Sequence, residues 1–330
     1  MKNLLYILLI LATSIACKNS NSDVKPLNLQ EDKNPSLSIR RQFYSINNQR
    51  DTIINCSKGS KIYFPANCFD GLSEMIEKER ITIEVIEAFS PHEIISNNWS
   101  TETNSGRVLE TDGMLFINAT LGNDTLQLKP NKPLQILMPN SHPNNDRQFS
   151  LFSGDLASGR LLWDSIPLSE ESKIEFDTVY LGENNFDYKL VPIDAGWVFH
   201  RDKWSHIFST NKLQFLNCDR YPELYSPEYQ CEVKIKKRVS EIVYSYLFLE
   251  NKKVMGSMST WDRLDSINPQ IFIVRPRGER AKLFSYYTKN GHFYYSSQEL
   301  LVTKDTLLNL KYEMIDQSEL EEYLSKITWP

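Results

Sequence analysis

Histidine and cysteine each occur only five times in 330 residues, and glycine only 12 times. There is no CxxC pair, which argues against a zinc ribbon or a thioredoxin-type redox site. GxSxG, a phosphate-binding loop and a Gly-rich dinucleotide fingerprint are also missing, so neither a nucleophile elbow nor a nucleotide site is written in the chain. No cofactor is expected. Positive charge is not in excess: 37 Lys and Arg stand against 42 Asp and Glu, a net charge of −5. Nucleic acid is therefore a poor partner, because its phosphates need concentrated positive charge. What is present is apolar mass, 41% hydrophobic and 12% aromatic, enough to bury real cores and to argue against wholesale disorder.

Residues 1–16 read as a signal segment. Lys2 precedes the apolar run Leu4 to Ala12, which is shorter than the roughly 20 residues of a membrane-spanning helix. The run ends in Ser14-Ile15-Ala16-Cys17, which resembles a bacterial lipobox. That resemblance implies cleavage before Cys17, acylation of Cys17, and anchoring in a lipid bilayer. Each buried methylene contributes about 0.8 kcal/mol, so several acyl chains hold firmly. Residues 17–40 are polar and aperiodic and read as a flexible tether with a reach of about 20 to 25 Å. Lys18 takes the place of the Asp that commonly retains lipoproteins in the inner membrane, which points to the outer membrane, with its periplasmic or surface face left open. The other cysteines, Cys56, Cys68, Cys218 and Cys231, either pair outside the cytoplasm or pack as buried thiols. The pairing of 56 with 68 and 218 with 231 closes the shortest loops.

The fold class read from pattern is mainly β: an antiparallel β-sandwich followed by a second β-rich domain with a C-terminal helix. Lys58 to Phe69, Ile81 to Phe89, Leu109 to Ala119 and Leu134 to Pro139 are rich in β-branched and aromatic residues and bounded by Gly, Pro, Asn or Asp. They place a sandwich over residues 41–140. Gly122-Asn123-Asp124 predicts a tight hairpin, and Ser90-Pro91 opens a single helical turn. Residues 141–189 read as a β-hairpin turning near Ala157-Ser158-Gly159 plus a connecting segment. Residues 190–330 form the C-terminal region, with a hairpin at Asn290-Gly291 and a closing helix. In that helix Asp316 and Glu319 are spaced as a helix start, and Leu320, Tyr323, Leu324 and Ile327 recur at helical period.

Three stretches together, Ile62-Tyr63-Phe64-Pro65-Ala66-Asn67-Cys68-Phe69, Leu109 to Ala119 and Leu128 to Pro133, look like a group of uncharacterised Bacteroidota lipoproteins. The first domain of that group is similar to the β-sandwich of ankyrins, netrin receptors and zonula occludens proteins. Phe149 to Asp155, Leu161 to Asp164 and Leu216 to Arg220 extend the likeness. The resemblance implies a fold and a compartment, and it implies no activity.

Several patterns bear on chemistry. Six triplets place Asp before Ser or Thr and an aliphatic residue, with hydroxyls at Thr52, Thr125, Ser165, Thr178, Ser266 and Thr306. They are similar to the O-glycosylation sequon of exported Bacteroidota proteins, and Asp at turns followed by strand-forming residues makes the same triplets. His200, Asp202 and His206 lie close in sequence but match no zinc motif, and no metal site is expected. His206-Ile207-Phe208-Ser209 weakly resembles a His-Phe-Ser self-cleavage site, with Ile207 displacing the imidazole from the Phe208-Ser209 bond. The expected role is non-catalytic: a membrane-anchored envelope lipoprotein that binds or scaffolds a protein or glycan partner. The alternative is an envelope hydrolase. A deep pocket holding two of His200, Asp202, His206 and Asp219 would favour it, whereas an edge-strand or aromatic surface would favour binding.

Overall fold

The computed structural model describes residues 37, 39–71, 80–105, 107–139, 149–157, 160–166, 178–180, 186–188, 199–201, 205–221, 231–236, 239, 241–249, 254–259, 270–274 and 279–327. The leader, Cys17, Asp202 and Ser266 lie outside the described residues, as do the side chains of Thr178, His200 and Cys231.

The chain is mainly β, with antiparallel sheets and a C-terminal helix. The first half contains β1 (Gln42–Asn47), β2 (Thr52–Asn55), β3 (Lys61–Phe64), β4 (Arg80–Ala88), α1 (Pro91–Ser96), β5 (Glu110–Leu121), β6 (Asp124–Thr125) and β7 (Leu134–Pro139). Then come β8 (Ser150–Ala157), β9 (Arg160–Ser165), β10 (Thr178–Tyr180), β11 (Phe186–Tyr188), β12 (Phe199–Arg201), β13 (Ser205–Thr210) and β14 (Gln214–Arg220). The last part holds β15 (Cys231–Ile235), β16 (Tyr244–Leu249), β17 (Val254–Ser259), β18 (Gln270–Val274), β19 (Glu279–Lys289), β20 (His292–Val302), β21 (Thr306–Leu308), β22 (Glu313–Ile315) and α2 (Gln317–Ser325).

Two sheets form the sandwich. One runs β1-β4-β5-β14-β8-β9 and the other β12-β13-β7-β3-β2. Their facing residues make one core: Ile81, Ile83 and Val85 of β4 and Leu115, Ile117 and Ala119 of β5 meet Ile62 and Phe64 of β3, Leu134, Ile136 and Met138 of β7 and Phe208 of β13. The opposite face of the first sheet is also covered. Ile86, Ala88, Met114, Phe152 and Trp163 pack with Tyr246, Phe248, Phe284, Tyr286 and Phe293 of the C-terminal strands and with Ile94 and Leu320 of the two helices. Burial on both faces explains why β5 is apolar at nearly every position from Met114 to Ile117 instead of alternating.

Strand pairing runs across the expected boundary between an early and a late region. Strands β13 and β14, which lie in the expected C-terminal region, complete the sandwich: β13 pairs along all six of its residues with β7, and β14 lies between β5 and β8. The sheet β17-β16-β19-β20-β22 joins β5 through the pair Val254 and Glu110, and from Asp32 onward the chain is one compact unit. Strand content can be read locally, but which strands pair is a long-range property. Leu37, within the expected tether, is buried in the core together with Ile94 and Leu320 of the helices.

Local signals held. Ser90 caps α1 in a reciprocal box with Glu93, Asp316 caps α2 by accepting from the Glu319 amide, and Asn290 and Gly291 both take positive φ in the β19–β20 turn. Thr306 to Leu308 is a strand, and β21 pairs parallel to β15.

Candidate functional site

Strand β5 begins with three polar residues, Glu110, Thr111 and Asp112, in a position where its neighbours on both sides are buried. Opposite them β14 carries Asn217, Asp219 and Arg220. The pairing slips here: Cys218 faces Gly113 and Asp219 faces Thr111, so Asp112 is an extra residue, a β-bulge. Regular alternation would turn Asp112 toward the face of Met114. The bulge turns it into the sandwich instead, where its Oδ2 lies 2.5 Å from Nε2 of His206 on the opposing sheet. Gly113 is required beside it, because its φ is +147° and a Cβ there would fall 2.1 Å from the ring of Phe89.

The same end of the two strands holds an ion pair. Arg220 donates from Nε to Glu110 at 3.0 Å and from Nη2 to the other carboxylate oxygen, and its guanidinium lies over the ring of Phe149 at 4.8 Å. Phe149 also packs on the His206 ring, with 5.1 Å between centroids. On the other face of the sheet Thr111 donates to Oδ1 of Asn217 at 3.1 Å, and Asn217 Nδ2 lies 2.5 Å from Oδ2 of Asp219. Burial drives the Asp219 carboxyl well above the usual carboxylate range, against hydrogen bonds from Thr111 and Asn217 that pull the other way. Asp112 and Glu110 add to the rise by like-charge repulsion.

None of the seven residues is more than 5% exposed. The arrangement thus ties three strands together from within. It brings together His206 and Asp219, two of the four residues named from sequence, but around Asp112 in a sealed interior and not in a pocket. Ser209 is buried too. Among the described residues no group of three His, Cys, Asp or Glu is placed to hold a metal ion.

A second polar centre fixes the turn after β2. Buried Glu87 accepts from the backbone amides of Lys58 and Ser60 at 2.9 and 3.1 Å and from Gln42 Nε2 at 2.9 Å, and Lys58 pairs with Glu93. Beside it Cys56 is buried, and burial first, then Glu87, pushes its thiol up to about 12. Burial likewise raises Cys68 to about 12. Cys56 and Cys68 are free thiols, and Cys218 is buried. The register shows why 56 and 68 do not pair. Cys56 follows the Asn55–Lys61 end of the hairpin, while Cys68 lies beyond the Phe64–Thr52 end, so the length of β2 separates them by about 10 Å or more. Cys218 faces Gly113 and Leu151 in the first sheet, and Cys231 belongs to a different one.

The hydroxyl triplets divide. Asp51, Asp164 and Asp305 serve the fold, accepting from the Ala66 amide, Asn104 Nδ2 and the Glu232 amide. Thr52 and Thr306 donate to nearby carbonyls, while Thr125 and Ser165 are exposed. Two large apolar side chains stand out on edge strands: Phe43 of β1 is 64% exposed and Ile53 of β2 is 56% exposed. No helix of the described residues is long and apolar enough to cross a membrane. Sequence reading passed over the Glu110, Thr111 and Asp112 group as a chemical site. Its signal was three polar residues opening an otherwise apolar strand. No family model, curated protein or solved structure matches the chain.

Proposed function

We propose that this chain is a non-catalytic outer-membrane lipoprotein, anchored through acylated Cys17, that holds a protein partner in the bacterial envelope. The carrying observation is the sealing of the polar centre: among the described residues His206, Asp112 and Asp219 are buried, and each already holds another group of the fold. A general base must come within hydrogen-bond reach of the proton it removes, and no substrate enters here. The leader and the resemblance to Bacteroidota lipoproteins support the address.

Binding is supported by the edges. Strands β1 and β2 each have one described neighbour, are joined by a short turn, and carry exposed Phe43 and Ile53. Unpaired strand edges with apolar side chains favour the addition of an extended segment from another protein. The test is capture of partners by the native lipoprotein from envelope extracts. The wild type should retain a protein that Phe43→Asp combined with Ile53→Asp loses, and Cys17→Ser should leave the membrane fraction. An envelope hydrolase activity abolished by His206→Gln would overturn the reading.

A further inference from the structure

The group Thr111, Asn217 and Asp219 is the arrangement that neither the ion pairs nor the anchor uses. A hydroxyl, a carboxamide and a carboxyl meet across two central strands, next to Met114 and Phe152, the register partners of Asn217. All three are buried, and Asp219 Oδ1 has no hydrogen-bond partner. The Gly113 amide donates to Thr111 Oγ1 at 3.2 Å and holds the hydroxyl beside the carboxamide. The 2.5 Å contact from Asp219 to Asn217 is short for N–H···O and ordinary for O–H···O. It suits an Asn217 amide turned so that a neutral Asp219 donates to its carbonyl oxygen. Amide oxygen and nitrogen are exchangeable in such an assignment.

We infer that Thr111 and Asn217 form an internal ester that covalently joins β5 to β14. Thr111 Oγ1 attacks Cγ of Asn217, the new Oγ1–Cγ bond replaces the Cγ–Nδ2 bond, and the amine leaves as ammonia. Asp219 touches both reacting groups. As the Oγ1–Cγ bond forms, the carboxyl gives its proton to the Asn217 carbonyl oxygen and takes the hydroxyl proton; as the tetrahedral centre collapses it takes the first proton back and gives one to the departing nitrogen, so the carboxyl ends as it began. No oxidant or cofactor is needed. Proximity supplies the rate, because the reacting groups are held in one place by the ladder on either side. The apolar surroundings keep water from hydrolysing the product.

The measurement is intact mass of the purified full-length chain. The wild type should lie below its sequence mass, with any lipid added, by one ammonia, about 17 Da. In a tryptic digest, peptide 213–220 should appear only joined to the peptide that begins at Val108, and hydroxylamine should release it. Thr111→Ser should retain the link. Thr111→Val and Asp219→Asn should have their full sequence masses. A wild-type chain of unshifted mass with free peptide 213–220 would overturn the inference without recourse to any variant. So would a mass deficit that survives Thr111→Val, which would place the lost ammonia in a ring closure at Asn217 alone. A gain of about 1 Da would mean hydrolysis of the amide and would also overturn it.

Discussion

Gly113, Asp112 and His206 show how much a single residue carries in this fold. Replacing Gly113 with Ala would place a Cβ inside the Phe89 ring and hold a β-carbon residue at φ +147°, so Gly113→Ala should cost about 1 to 3 kcal/mol or more in urea unfolding. His206→Leu strands Asp112 as a buried carboxylate without its imidazole, and should cost about 3 to 5 kcal/mol. The double change with Asp112→Leu should recover part of that loss, which a double-mutant cycle reads directly. Asp219 gives a pH signature. Its folded-state pKa lies above the unfolded value, so the stability that it contributes is present in acid. That contribution is lost as pH rises through the folded value. Melting curves across a pH series should therefore fall from mildly acid to alkaline pH in the wild type, with a shallower slope in Asp219→Asn. Cys56 and Cys68, raised to about 12 by burial, should resist alkylation at pH 8 in the folded protein and react once it is unfolded.

At the scale of elements, α2 is a small helix with a large role. Its cap, Asp316, holds the Glu319 amide, and its apolar stripe places Leu320 and Leu324 on the aromatic layer of β19 and β20 and beside α1. Leu320→Ala should cost about 2 to 5 kcal/mol, whereas the exposed cap change Asp316→Ala should cost clearly less in the same unfolding measurement. Helix α2 was legible in the sequence because a cap and a 3.6-residue period are local signals. The β19–β20 hairpin was legible for the same reason, through Asn290 and Gly291. Strand β14 was not read as part of the sandwich: its polar residues Asn217, Asp219 and Arg220 resemble a solvated strand, and only their partners on β5 reveal them as interior.

Across the whole molecule, one sheet face builds the sandwich and the other receives the C-terminal strands and both helices, so the two halves share β5 and β14. Burying β5 on both sides explains why the polar centre sits there. Groups with no access to water must satisfy one another, and doing so fixes the register of three strands. The β1 and β2 edges are separate from that centre, so the partner capture proposed for them should survive Asp219→Asn and fail on the edge variants.

By itself the sequence determined strand content, turn positions, helix caps and the scarcity of catalytic motifs. Each of these rests on residues close together in the chain. Tertiary structure alone decided that residues 205–220 complete the sandwich, that Asp112 turns inward to His206, that Cys56 and Cys68 stand at opposite ends of a hairpin, and that Thr111 meets Asn217. The physical reason is register: a side chain's face and its cross-strand neighbour are set by pairing over about a hundred residues, and one bulge reverses both.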